Sequence, residues 1–186
     1  WPLSTEAMRY ARRGITLAHE LRIPLVSVID TPGGELSDRA ERTGMAGSIA
    51  RTLAEILDID VPTVSVIIGQ GCGGAALSMI PADQVLACED AWLAPLPPEG
   101  ASAIIYRDVD HAPAMMENQS VAADKLHERG IVDRLIPALS STDAEADSKV
   151  VIDSIAHALW EIKLNSTLRR GREQRLAHYE RLATIV

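Results

Sequence analysis

A chain of 186 residues is long enough to bury a sizeable core, and with no Phe and 3% aromatics that core must be built from Ala, Val, Ile and Leu. Eighteen basic residues against 26 acidic ones leave a net charge of −8, which argues against nucleic acid as the main partner, and no apolar run approaches the ~18–20 residues of a membrane span. Cys72 and Cys88 cannot complete a four-cysteine zinc site and suggest no disulfide framework; with no signal peptide in view, a reducing cytoplasm is expected.

The chain begins at Trp1-Pro2 without a methionine, as a fragment would, and reads as one domain over 1–186, ending in helices over 148–186. Met8, Ala11, Ile15, Ala18 and Leu21 recur at spacings of three and four, so Thr5 to Arg22 is a helix capped by Ser4 or Thr5 and stopped by Pro24. Leu25 to Ile29 is a short buried strand that ends in the turn Asp30-Thr31-Pro32-Gly33-Gly34. A long helix over Ser37 to Leu57 follows, with Ala46, Ile49, Ala50, Leu53 and Ile56 on one face.

Val64 to Ile68 is an apolar, β-branched run that stops at four glycines, Gly69, Gly71, Gly73 and Gly74, and resumes at helical spacing. That pattern predicts a buried strand, a tight turn and a helix N-terminus. The first turn of a helix leaves amide N–H groups unpaired, with a favourable dipole behind them. Such a turn can hold a developing oxyanion without any side chain.

Gln84 to Cys88 and Ala91 to Ala94 read as strands, and Pro95 to Gly100 leads into a helix over Ala101 to Arg107, with Pro98 and Glu99 suited to its first turn. Further helices are predicted over Ala112 to Glu117 and Ala122 to Glu128, closed by Gly130, then a strand over Ile131 to Ile136. Ser140 to Asp147 is polar and reads as a loop with a helix start, and two helices, about Ser148 to Leu164 and Ser166 to Leu182, finish the chain. Strands alternating with helices make a parallel-sheet α/β protein. Periodicity does not separate a doubly wound sheet from a superhelix of ββα units.

Three segments, Ile29-Asp30-Thr31-Pro32-Gly33, Gly69-Gln70-Gly71-Cys72-Gly73-Gly74-Ala75 and Pro98-Glu99-Gly100-Ala101-Ser102-Ala103-Ile104, resemble the α half of the carboxyltransferase of acetyl-CoA and related acyl-CoA carboxylases. The resemblance continues through Gly130 to Pro137, about three quarters of the chain. It implies the crotonase fold, a superhelix of ββα units. It also implies pairing with a carboxyltransferase β half in an oligomer, and a carboxyl group delivered by biotin on a separate biotin carboxyl carrier protein to acetyl-CoA or another short acyl-CoA, giving malonyl-CoA.

By the same resemblance, Gly73, Gly74 and Ala75 form a backbone hole for the biotin carbonyl, with Gly71 and Cys72 at its rim. Pro32, Gly33, Gly34, Pro98, Glu99 and Gly100 frame the substrate and biotin. No metal is implied. The segment Gly34 to Asp38 departs from the family, which usually places an aromatic and a Pro-Gly pair there, and Cys72 stands where the family commonly has Ser.

Blander readings stand beside these. The glycine turn also suits close helix–strand packing, Glu99 suits a helix start, Cys72 a small filler and His111 a cap or solvent-facing position. Arg169, Arg170, Arg172, Arg175 and Arg181 read as a solvated helix face, the minority reading being docking to the partner half or to CoA phosphates. Rival functions are a malonate decarboxylase γ-type subunit, a Clp-like serine peptidase and a non-catalytic crotonase-fold scaffold. The peptidase needs a serine at the strand-to-helix elbow, and Ser78 lies a turn too late.

Overall fold

A computed structural model describes residues 2–139 and 142–180. Helix α1 (Thr5–Leu21) is capped at Ser4, whose Oγ accepts the Ala7 N–H at 3.1 Å, and it buries Met8, Ile15 and Ala18; Leu21 stays exposed. Strand β1 (Leu25–Thr31) leads through the turn to α2 (Asp38–Arg42) and α3 (Met45–Asp58). The single helix expected over 37–57 is therefore two, broken at Gly44, whose φ of 84° is left-handed. The buried face of α3 is also rotated from the expected one. Met45, Ser48, Thr52 and Ile56 point inward, whereas Ala46 and Ala50 face solvent.

Strand β2 (Thr63–Cys72) runs through the glycines to Cys72, further than the apolar run suggests. Helix α4 (Gly73–Leu77) is only five residues long. Strands β3 (Gln84–Cys88) and β4 (Trp92–Ala94) and helix α5 (Pro98–Ile105) make one β-β-α unit. Then come α6 (Ala112–Gln119), α7 (Ala123–Glu128), β5 (Arg134–Ile136), α8 (Ala144–Leu164), a 3-10 turn (Ser166–Leu168) and α9 (Arg172–Glu180). The last expected helix is thus interrupted before Arg172, and its predicted end at Leu182, like Arg181, lies outside the described residues, as do Ser140 and Ser141.

All strand pairings are parallel: β1-β2-β3-β5 in order, with β4 joined to β2 beyond β3. Strands buried on both faces read as continuous apolar runs, and here Val64, Val66, Ile67, Val85, Leu86 and Leu93 fill the main core with Leu126, Ile131 and Ile162. A smaller cluster places Met8, Ala40, Met45 and Ala75 together, so α1, α2 and α3 all back the first turn of α4. That packing holds the glycine turn from behind. No helix among the described residues is long and apolar enough to cross a membrane.

Candidate functional site

The first two segments singled out in the sequence meet at the C-terminal ends of β1 and β2, beside Pro95 just after β4, and the third begins three residues further on, at the start of α5. A Cβ built on Gly33 would stand 3.3 Å from the Cys72 carbonyl oxygen. One on Gly73 would stand 3.9 Å from Gly33 Cα and 3.9 Å from the Pro95 oxygen. Three backbones therefore approach one another closely here, with the Cys72 Sγ beside Gly33 and the Ile49 side chain beside Gly74. In parallel α/β sheets, sites lie at this end of the strands.

Each turn is fixed locally. Thr31 Oγ1 accepts the Gly33 N–H at 3.1 Å, and the Gly33 carbonyl accepts the Leu3 N–H at 2.8 Å, so both polar groups of Gly33 are spent on holding the loop. Gly33 at φ 115° and Gly73 at φ 70° occupy backbone regions that residues with a Cβ rarely adopt. Gly71 has no room for a side chain, since a Cβ would lie 2.8 Å from Leu93 Cδ1 and 2.9 Å from the Trp92 oxygen. Pro98 is buried at the start of α5, and Glu99 is exposed in its first turn. Pro32 is exposed, while Gly34 and Gly100 are half-buried.

The amides of the turn differ in availability. Cys72 pairs with Ala94 in the β2–β4 ladder. A residue in a parallel ladder bonds to the residues flanking its partner, and Pro95 has no N–H to give. The rung is therefore closed by the Gly73 N–H donating to the Ala94 carbonyl. Ala75 is 0% exposed, packed against Met8, Ala40 and Met45. Gly74 is exposed, and its N–H belongs to the first helical turn, which has no intrahelical acceptor for it. Of the three expected donors, Gly74 is the exposed one, Gly73 is half-buried and Ala75 is buried.

Side chains around the turn are poorly suited to nucleophilic chemistry. Burial, and then the negative charge of Glu99, push the Cys72 thiol above its ordinary range, against the lowering that a helix N-terminus gives in isolation. Burial with Asp90 and Asp147 pushes Cys88 up to about 11. Raised values mean less thiolate at pH 8 than an exposed cysteine carries. Iodoacetamide labelling of the native protein is expected to be slow at pH 8 and to climb beyond pH 9. Labelling of Cys72 at the speed of a free thiol at pH 8 would contradict this. Ser78 is buried and donates its hydroxyl to the Ala75 carbonyl at 2.9 Å, so it is no peptidase nucleophile.

His111 is exposed, stacked on Tyr106 at 4.2 Å between ring centroids and 2.8 Å from Asp108. Asp108 is held below the usual carboxylate range chiefly by its hydrogen bond with His111.

These features match a known family along nearly the whole chain: the profile described as acetyl co-enzyme A carboxylase carboxyltransferase-like covers residues 3–185. The chain belongs to that family. A probable biotin-dependent acyl-coenzyme A carboxylase beta3 subunit of Mycobacterium tuberculosis is 55% identical over 131 residues, 70% of this chain and 26% of the relative. An acetyl-coenzyme A carboxylase carboxyl transferase subunit alpha of Rubrobacter xylanophilus is 34% identical over 185 residues, 95% of this chain and 58% of the relative. This carboxyltransferase-like chain thus spans from about a quarter to just over half the length of these relatives.

Among solved structures, transcarboxylase 12S with methylmalonyl-coenzyme A and methylmalonic acid bound superposes with a TM-score of 0.73 at 25% identity, covering 91% of this chain and 32% of that one. A Pseudomonas malonate decarboxylase hetero-tetramer in complex with coenzyme A superposes with a TM-score of 0.76 at 17% identity, covering 98% and 74%, a likeness of fold. The fold of the carboxyltransferase-like chain is the expected crotonase type.

Arg169, Arg170 and Arg175 correct the expectation of a solvated face, whereas Arg172 is exposed as expected. Arg175 is 1% exposed; it donates to the Ile56 and Ile59 carbonyls at 3.0 and 2.7 Å and to Asp83 at 2.9 Å. Arg169 pairs with Asp60 and Asp83, Arg170 with Asp133, and Arg172 with Asp58. Each of these four guanidiniums faces a carboxylate of the same chain, which leaves little charge for a phosphate. No pattern near residue 175 signals this. The pairing depends on Asp83, a residue that in sequence reads as part of a turn.

Proposed function

We propose that the chain is the biotin-side half of a carboxyltransferase, moving a carboxyl group from carboxybiotin to acetyl-CoA or another short acyl-CoA. The observation that carries this reading is the exposed Gly74 in the first turn of α4, beside the close approach of the Gly33, Gly73 and Pro95 backbones. A flat ureido ring is a neutral group that needs an aimed N–H donor and close backbone approach, and these residues fit it. Carboxybiotin supplies the carboxyl group and a proton acceptor, so a protein base is unnecessary.

Gly74 donates to the carbonyl oxygen where negative charge develops, a contribution of about 3–4 kcal/mol to the barrier. Gly73 supplies the left-handed corner and ties the turn to β4, while Ala75 anchors it on Met8, Ala40 and Met45. Gly71 and Cys72 form the rim, and Pro32, Gly33, Gly34, Pro98, Glu99 and Gly100 frame the opening. The thioester is held by a β half, on a partner subunit or elsewhere in a longer chain. The carrier protein brings biotin to this oligomer in the cytoplasm.

The test is carboxylation of a panel of acyl-CoAs by the complete complex with its carboxybiotin-loaded carrier. Carboxylation of a short acyl-CoA is expected. Biotin-independent loss of carbon dioxide from a malonyl thioester would instead indicate the malonate decarboxylase chemistry, and hydrolysis of peptides would overturn the assignment.

A further inference from the structure

The geometry points to Asp30 as a positioning residue that aims the Gly71–Gly74 turn, an inference that rests on the carboxyl-transfer reading above. Strands β1 and β2 pair one-to-one from Leu25↔Thr63 to Ile29↔Ile67, and the next pair is Thr31↔Gly71. Between those rungs β1 contributes one residue, Asp30, where β2 contributes three, Ile68, Gly69 and Gln70. The excess bends β2 at this point, as bulges do.

The bend has a consequence for the sheet. Before it, β2 pairs with β3 as far as Ile67↔Ala87; from its last residue on, beginning at Gln70↔Trp92, β2 pairs with β4. The bulge is therefore the step that carries β2 from one neighbour to the next and delivers the glycine turn to its place. Unpaired backbone groups in such a bulge need partners, and Asp30 supplies one. Its Oδ1 accepts the Gln70 N–H at 3.0 Å, a hydrogen bond strengthened by the carboxylate charge.

The fit is close on the neighbouring residue too. A Cβ on Gly69 would lie 2.7 Å from Asp30 Oδ1 and 3.2 Å from Cγ, so the carboxylate rests against the glycine backbone. Asp30 is exposed and forms no ion pair among the described residues, so its contact with the bulge is not part of a charge network. Its Oδ1 reaches Gln70, four residues before Gly74, and so acts on the donor through the main chain.

The test uses the complete carboxylase complex carrying Asp30→Ala, Asp30→Asn or Gly69→Ala. Asp30→Ala and Gly69→Ala are expected to lower kcat for transfer from carboxybiotin at least tenfold with KM for the acyl-CoA nearly unchanged. Asp30→Asn keeps an oxygen acceptor and is expected to restore kcat to within threefold of wild type. Hydrogen exchange of the 68–75 backbone should quicken in the first two variants and not in the third.

Equal loss in Asn and Ala would mean that the charge acts directly on substrate, and would overturn the positioning role. Unchanged exchange at 68–75 in Asp30→Ala would overturn it whatever the activity. If the wild-type complex transfers no carboxyl group, the functional reading fails, while the exchange measurement still decides what Asp30 holds.

Discussion

Gly74→Val is expected to lower carboxyl transfer at least about a hundredfold while the complex still assembles, as expected for loss of one oxyanion donor. Gly74 is exposed, its φ is not left-handed, and a Cβ there would meet Ile49 Cγ2 at 3.4 Å, an ordinary contact. A Cβ is therefore accommodated, the two Cγ atoms of valine need Ile49 to give slightly, and the branched side chain overhangs the amide. Steady-state transfer and analytical ultracentrifugation of the same preparation separate the two effects. Normal turnover would show that the donor lies elsewhere.

Arg175→Met is expected to be strongly destabilising. It removes the guanidinium that pairs with Asp83, itself 0% exposed, and strips a donor from the Ile56 and Ile59 carbonyls. Breaking a buried pair from one side costs about 3–5 kcal/mol. For a chain of this size that lowers the melting temperature by roughly 10 °C.

Arg172→Met is the control: Arg172 and Asp58 form a largely exposed pair, worth ~1 kcal/mol or less. Calorimetry of the complete protein with each variant measures the contrast. Equal shifts would mean that Asp83 is satisfied without Arg175, through Arg169 and the backbone N–H groups of Thr63 and Arg170.

Local patterns carried much of this architecture. The spacing of Met8, Ile15 and Ala18, the cap at Ser4 and the stop before Pro24 define α1, and the β-branched runs define β1 and β2. The glycine segments were visible because each is contiguous and each follows a strand. What was not visible depends on distant partners.

The rotation of α3 hides in the sequence because Ser48 and Thr52 look polar. Inside, the Thr52 hydroxyl donates to the Ser48 carbonyl at 2.8 Å and so can be buried. The β2 bulge is a matter of register against β1, some forty residues away in sequence for the Asp30–Gln70 contact. Periodicity within one strand contains no register. Arg175 reads as one more surface arginine until Asp83 is placed beside it.

The availability of the three amides was also a tertiary matter. Whether Gly73 donates to a ligand or to Ala94 follows from the β4 pairing and from Pro95, neither of which is apparent in the glycine segment itself. Ala75 is closed off by three helices that precede it in the chain.

The most direct measurement is a crystal structure of the complete complex with biotin bound. The account predicts the ureido oxygen about 2.7–3.1 Å from the Gly74 nitrogen, beside the Gly33, Gly73 and Pro95 backbones. A biotin ring seated elsewhere, with the Gly74 N–H turned to a carbonyl of the partner subunit, would contradict it.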